Sequence, residues 1–273
     1  VLVLIKKWLR MIVLDRKKNY NYLEKAQLLL GFLFFYTSCE QENGELSING
    51  ETMGTTYSIK IIDYSDNINK GLLKNQIDSV LNNINTQMST WDPNSEISKF
   101  NRWLSTQPYP LSKPLITVID SALSISKKTD GLFDISIYEL MSLWGFGPNP
   151  KKGMPSFVSI NNALSHSGYN KIMINRINNT IIKQHPMVKL DLNALAKGYG
   201  VDIIFKFIKE MGVENLFIEI GGEVRTSGKN KTKNLWSIGI ENPLGGQKKD
   251  IDFAAIVHLE NEAIATSGNY RNI

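Results

Sequence analysis

A single cysteine, Cys39, stands in 273 residues, so no disulfide can form within the chain. Histidine is nearly as scarce: His166, His185 and His258 share no metal-ligand spacing. They support no Ser-His-Asp or Cys-His arrangement and read as surface or core residues. Neither a P-loop (G-x-x-x-x-G-K-S/T) nor a Rossmann G-x-G-x-x-G occurs. Excess charge is also missing where it would matter. The formal charge of +5 resides in residues 1–38, which hold seven Lys/Arg against Asp15 and Glu24; the rest has 24 basic and 24 acidic residues. A binder of the nucleic-acid backbone carries a basic excess, so nucleic acid is not an expected partner.

What is present is ordinary folded-protein composition, 42% hydrophobic and 21% charged. The run "LLLGFLFFYTSC" is about a dozen residues, short of the ~20 that span a bilayer. It reads instead as a secretory leader: Lys17, Lys18 and Lys25 form the positive region and Leu28 to Phe35 the apolar one. Thr37-Ser38-Cys39 resembles a lipoprotein cleavage box with Tyr36 at its usually aliphatic position, making Cys39 the expected acylation site. The organisation is thus residues 1–38 as leader, 39–50 as tether and 51–273 as the folded domain, lipid-anchored in the cell envelope and facing the periplasm or exterior.

Along the domain, alternation in "ELSINGETMGTTYSIKII" predicts a β-hairpin. Leu72, Leu73, Ile77, Val80, Leu81, Ile84 and Met88 recur at helical spacing. Ser112 with Pro114 marks a second helix start, and Gly131 its stop. "WGFGPNPKKGMP" reads as a loop. "YNKIMIN", "TIIKQ" and "VKLDL" read as strands, followed by a helix from about Ala194 to Met211 and then mostly strands. Helices and strands mix without a βαβ repeat. The predicted class is α+β, a mixed and largely antiparallel sheet with packed helices.

The chemistry-bearing candidates cluster in "LDLNALAKGYGVD". Asn193 is predicted to cap the helix, leaving the N–H groups of Ala194, Leu195 and Ala196 facing outward, an arrangement that attracts anions. Lys197 in the first turn opposes the helix dipole at up to ~1 kcal/mol unless an anionic ligand or Asp191 compensates. Gly198 and Gly200 each disfavour the helix by about 1 kcal/mol relative to alanine, which predicts close approach of a backbone or ligand. A phosphate site and a simple Asp-Lys pin both fit this stretch. Gly221-Gly222 after a strand, the polar turn "TSGNYRN" with Thr266, Ser267 and Arg271, Trp91 beside Asp92-Pro93, and Asp134 within an apolar run each have an equally plain structural reading.

Taken in order, "ETMGTTYSIK", "MSTWDPNSEISKFN", "GLFDISI", "LWGFG", "VKLDLNALAKGYGVD", "IEIGGEVRTSGKN" and "AIATSGNYRN" resemble the bacterial ApbE family of FAD:protein FMN transferases, from about Glu51 to the last residue. The resemblance implies an ApbE-like fold and Mg2+-dependent transfer of FMN from FAD onto a Thr or Ser hydroxyl, with AMP leaving. It implies FAD contacts at Met53, Trp91, Leu132, Phe133, Asp134, Asp191 and Lys197, and a Mg2+ ligand in the carbonyl of Ala194. The implied acceptor is a protein with a short Ser/Thr motif, typically a membrane redox-pump subunit. In the family, a His-Ile-Asp-Pro segment and an Asp/Thr region follow the last turn; they are not in these 273 residues. The expectation is therefore a C-terminally truncated domain, inactive alone, with the base and remaining metal ligands beyond Ile273. FAD hydrolysis to FMN and AMP, and non-catalytic flavin binding, stand as the alternatives.

Overall fold

The computed structural model describes residues 44–64, 68–243 and 253–268. Cys39, the leader and Arg271 lie outside that range. β1 (Glu45–Thr52) and β2 (Thr55–Ile62) form the predicted hairpin, paired from Glu45↔Ile62 to Thr52↔Thr55. Its period-2 pattern turns Leu46, Ile48, Tyr57, Ile59 and Ile61 inward. The connection is a two-residue turn, Met53-Gly54, with both residues at positive φ (51° and 71°).

Helix α1 (Lys70–Met88) starts where Asn69 accepts a hydrogen bond from Leu72 N–H, and buries Leu73, Ile77, Leu81, Ile84 and Met88. These positions, three or four apart, lay one apolar stripe on the hairpin sheet. That sheet is extended by β6 (Asn215–Ile220), β7 (Glu223–Ser227) and β10 (Ala263–Ile264), in the order β1-β2-β6-β7-β10, every pair antiparallel. Helix α6 (Asn193–Lys209) packs on it through Val201, Ile204 and Ile208.

A second core gathers around α3 (Lys113–Lys128), whose Leu115, Ile119 and Ala122 meet Ile135, Val188, Leu190 and Leu192. Short strands β3 (Tyr109–Pro110), β4 (Ile172–Asn175) and β5 (Thr180–Lys183) close its far side in the order β3-β5-β4. β8 (Trp236–Glu241) and β9 (Phe253–Leu259) form a separate antiparallel pair. Residues from Gly44 onward make one compact unit.

Three helices escape the sequence reading: α2 (Glu96–Arg102), α4 (Tyr138–Leu143) and α5 (Phe157–His166). Two are under two turns long, and α5 buries only Ala163, so none carries a strong apolar period. "VKLDL" is not a strand. Lys189 makes one parallel bridge to Ile137, and Leu190 is paired by a side chain rather than a neighbouring strand.

Candidate functional site

The motif "STWDPNSEISKFN" is held by hydrogen bonds within itself and to Ser112 and Leu190. Asp92 accepts from Asn94 N–H at 2.8 Å, and Ser95 caps α2 by accepting from Ser98 N–H at 3.1 Å. The hydroxyls of Ser95 and Ser98 both donate to Ser89 O, at 2.6 and 3.2 Å. Glu96 accepts from the N–H and the hydroxyl of Ser112, replacing the local side-chain cap that Ser112 does not make for α3. Asn101, 6% exposed, both donates to and accepts from the backbone of Leu190 at 2.8 Å. These bonds tie the knot down beside Trp91, which is 62% exposed and has its ring left outside.

Trp91 lines two cavities. The first, about 620 Å³, also has Met53, Gly54, Asn85, Met88, Ser89, Asn193, Ala196 and Lys197 on its walls. The second, about 460 Å³, is lined by Thr90, Ser98, Asn101, Arg102, Tyr138 and Lys189 among others. These volumes fall in the range of small-molecule sites, ~300–1,000 Å³. Thr90 Oγ1 is buried without a protein partner beside the second cavity, a hydrogen-bonding position open to a ligand.

Met53 reaches the first cavity from the hairpin turn. A left-handed conformation is rare for a residue other than Gly, Asn or Asp and disfavours the turn by roughly 1–3 kcal/mol. Its Cε packs where a Cβ on Gly200 would sit, at 3.3 Å, together with Ile220 and Leu81. Gly200 therefore admits side chains, not the backbone or ligand anticipated, while Gly198 faces open space.

The start of α6 differs from its predicted form. The helix begins at Asn193 with Leu192 in the cap position and no side-chain cap there. Asp191 does the work expected of Asn193: its carboxylate accepts from Asn193 N–H at 2.8 Å and from the Asn193 amide at 3.1 Å. Leu195 and Ala196 direct their N–H groups to Leu192 O, so these donors do not face outward. Burial pushes the Asp191 carboxyl up, and the Asn193 bond partly offsets it.

Lys197 does not pair with Asp191. Its ammonium sits 2.8 Å from Glu223 and donates to Gly221 O at 3.2 Å. This binds α6 to the β6–β7 turn, where Gly221 has φ 55° and an added Cβ would lie 2.6 Å from Thr55 Cγ2. Only glycine fits there. Beside it, Thr266 Oγ1 stands 3.3 Å from the Cβ position of Gly222, so "EIGGEV" and the start of "TSGNYRN" do converge.

Of the seven residues expected to touch one ligand, Met53, Trp91 and Lys197 share the first cavity. Leu132, Phe133, Asp134 and Asp191 do not line it. Leu132 is 94% exposed, and Phe133 packs against the α3 core. Asp134 needs no ligand, because the N–H groups of Ser136 and Tyr169 donate to it at 2.7 and 2.8 Å. One contact connects the groups: Asp191 N–H donates to Ile135 O at 2.8 Å, joining "GLFDIS" to the α6 start. Ala194 lies in the first turn of α6. Among the described residues no three His, Cys, Asp or Glu converge on a potential metal position.

Asn85, Thr90, Arg102, Tyr138 and Lys189 line the cavities but carry no sequence signal as candidates. His166 and His185, 19 positions apart in sequence, stack at 4.3 Å, and Glu139 contacts both His166 and Lys189. Thr90 and Lys189 stood within quoted motifs, as did Asn101, without being singled out there.

The ApbE family model matches residues 53–273. An FAD:protein FMN transferase of Vibrio cholerae is 36% identical over 244 residues, covering 89% of this chain and 72% of that relative. One from Haemophilus influenzae is 34% identical, covering 86% and 68%. The solved flavin transferase ApbE from Vibrio cholerae superimposes with a TM-score of 0.77 at 35% identity, over 85% of this chain and 74% of that one.

Proposed function

Because the chain belongs to the ApbE family, we infer that it is a transferase that takes FAD and moves its FMN half onto a protein. The observation that carries this reading is the pair of cavities sharing Trp91. FAD has two flat ring systems joined by a pyrophosphate, and an exposed indole between two spaces suits such a ligand. Lys197 in the first cavity, and Arg102 with Lys189 in the second, supply cations for phosphates.

In the reaction, an acceptor hydroxyl oxygen forms a bond to the phosphorus on the FMN side of the pyrophosphate. The bond from that phosphorus to the bridging oxygen breaks, AMP carries the electron pair away, and the hydroxyl proton leaves to a base. Within this chain, Lys197 faces the negative charge that grows on the phosphates, and its contacts with Glu223 and Gly221 fix where its ammonium stands before ligand arrives. Trp91 and Met53 orient rings by apolar contact. Asp191 and Asn101 hold the α6 start in place.

Mg2+ belongs to the proposal, with the Ala194 carbonyl as one ligand; when bound it neutralises phosphate charge. Among the described residues no group of three His, Cys, Asp or Glu side chains stands ready to complete such a site. The proposal also includes a Thr or Ser acceptor on a membrane redox-pump subunit, acylation at Cys39, and a periplasmic or exterior location.

Incubating the full-length protein with FAD, Mg2+ and a candidate acceptor tests the reading. It predicts a covalent mass gain of FMN on the acceptor with one AMP released per event. AMP with free FMN and no mass gain would establish hydrolysis instead, and unchanged bound FAD would establish a binding protein.

A further inference from the structure

Between Leu140 and Leu190 the sequence holds six Lys/Arg and no Asp or Glu. Arg176 is paired with Asp120 and Lys189 with Glu139; Lys171 donates to two carbonyls and Lys183 is buried. Lys151 and Lys152 remain, exposed and without an ion pair among the described residues. Around them stand large exposed apolar side chains: Trp144 and Phe146 before, Met154, Phe157 and Val158 after, the last three each more than three-quarters exposed.

This segment is anchored. Phe146 N–H donates to Met141 O at 2.9 Å, Lys151 N–H to Ser142 O at 3.0 Å, and Ser142 Oγ to Asn149 O at 2.9 Å, holding the loop on the end of α4. Ser156 caps α5 by accepting from Ser159 N–H at 3.1 Å, fixing Phe157 and Val158 in its first turn. Five large apolar side chains are exposed within 15 residues of sequence, a concentration unlike the singly scattered exposure of an ordinary surface.

We propose that the 144–158 loop and the first turn of α5 dock on an anionic phospholipid surface, with Trp144, Phe146, Met154, Phe157 and Val158 entering the headgroup region and Lys151 and Lys152 meeting lipid phosphates. The interleaving selects the occupant. Protein interface cores are depleted in lysine, whereas aromatic side chains beside lysines are the composition of interfacial membrane elements. The 51 residues from Leu140 to Leu190 add no acid of their own that would repel a negative surface. The proposal rests on the reading of Cys39 as a lipid anchor for its context: four residues separate Cys39 from Gly44, a span of at most ~18 Å. Such a tether brings the domain to the bilayer but leaves its orientation to the surface that docks.

The single native cysteine permits a site-specific test. In the full chain with Cys39→Ser, a polarity-sensitive fluorophore is placed by Met154→Cys or, separately, by Lys231→Cys in the exposed turn between β7 and β8. With vesicles of phosphatidylglycerol and phosphatidylcholine, the probe at 154 shifts to the blue and is quenched by bilayer nitroxides, while that at 231 is not. Lys151→Glu with Lys152→Glu, or vesicles of phosphatidylcholine alone, abolishes the quenching at 154. FMN transfer in solution by the full-length protein carrying Lys151→Glu and Lys152→Glu is unchanged, which separates this proposal from the catalytic one. Equal quenching at both positions, none at 154, or a blue shift at 154 that grows with protein concentration without vesicles overturns it, the last by making the patch a contact between copies.

Discussion

The carboxamide of Asn101 and the backbone of Leu190 exchange two hydrogen bonds of 2.8 Å, across 89 positions of sequence. A side chain here substitutes for a neighbouring strand: it satisfies both polar groups of a residue that is fully buried and has no ladder partner. The next residue, Asp191, is held from the other side by Ile135 O. The start of α6 is thus fixed between "SKFN" and "GLFDIS".

Asn101→Leu leaves the N–H and C=O of Leu190 buried and unpaired, at ~1–3 kcal/mol each. The expected result is a loss of ~2–5 kcal/mol in unfolding free energy by denaturant titration. Asn101→Asp restores the acceptor but not the donor, and is expected to fall between that variant and the parent.

Met53 trades turn stability for a cavity wall. Type I′ turns favour Asn-Gly, and Met53-Gly54 departs from this only at its first residue. Met53→Asn is expected to raise thermal stability while weakening FAD binding, measured by quenching of flavin fluorescence. Parallel movement of both quantities would contradict the assignment.

Lys197 is predicted to carry part of the phosphate affinity. Lys197→Met removes one charge-assisted contact, worth ~1.5–3 kcal/mol, so FAD affinity is expected to fall about 10- to 100-fold. Glu223→Gln acts in the opposite direction, because it removes the carboxylate 2.8 Å away that competes with a ligand for the same ammonium. Isothermal titration with FAD distinguishes the two.

Lys183 gives a pH signature. It is 1% exposed, donates to Trp103 O at 2.7 Å and lies 4.5 Å from the Phe100 ring; burial first, then repulsion from Lys189, pulls its pKa down to about 8 from the usual 10.5. Between those values the unfolded chain binds more protons than the folded one, so this group's contribution to stability rises as pH climbs from about 8 toward 10.5. Below pH 8 both states are protonated and the contribution is flat. Melting temperatures across pH 7–10.5 are expected to show this rise in the parent relative to Lys183→Met, in which it is lost.

The fold class was legible because its main elements have clean periods: the hairpin alternates, and α1 repeats Leu73, Ile77, Leu81, Ile84, Met88. Helices α2 and α4 were not, since six or seven residues carry too little period to register. At the site, Trp91 and Lys197 were visible as unusual residues in unusual places. The partners of Lys197 and Asp191 were not. A lysine six positions after an aspartate invites a local pair, yet the carboxylate that meets it comes from β7, 26 positions on. Asp191 instead accepts from the N–H and the side-chain amide of Asn193. Thr90, Arg102 and Lys189 gain meaning only once the second cavity exists.

The two glycines of α6 look alike in sequence and differ in space. A Cβ on Gly200 would stand 3.3 Å from Met53 Cε and Ile220 Cδ1, tight against the cavity wall, whereas one on Gly198 would meet nothing within 4 Å. Both residues are helical, and alanine is favoured over glycine in a helix interior by about 1 kcal/mol. Gly198→Ala is therefore expected to stabilise the protein by up to that amount. Gly200→Ala gains the same helix term but must displace Met53, so a net loss is expected, with weaker FAD binding because the displaced side chain lines the first cavity. Denaturant titrations of the two single variants decide this. Equal stabilisation by both substitutions would show that Met53 is free to move aside, and that its left-handed turn is not set by packing against α6.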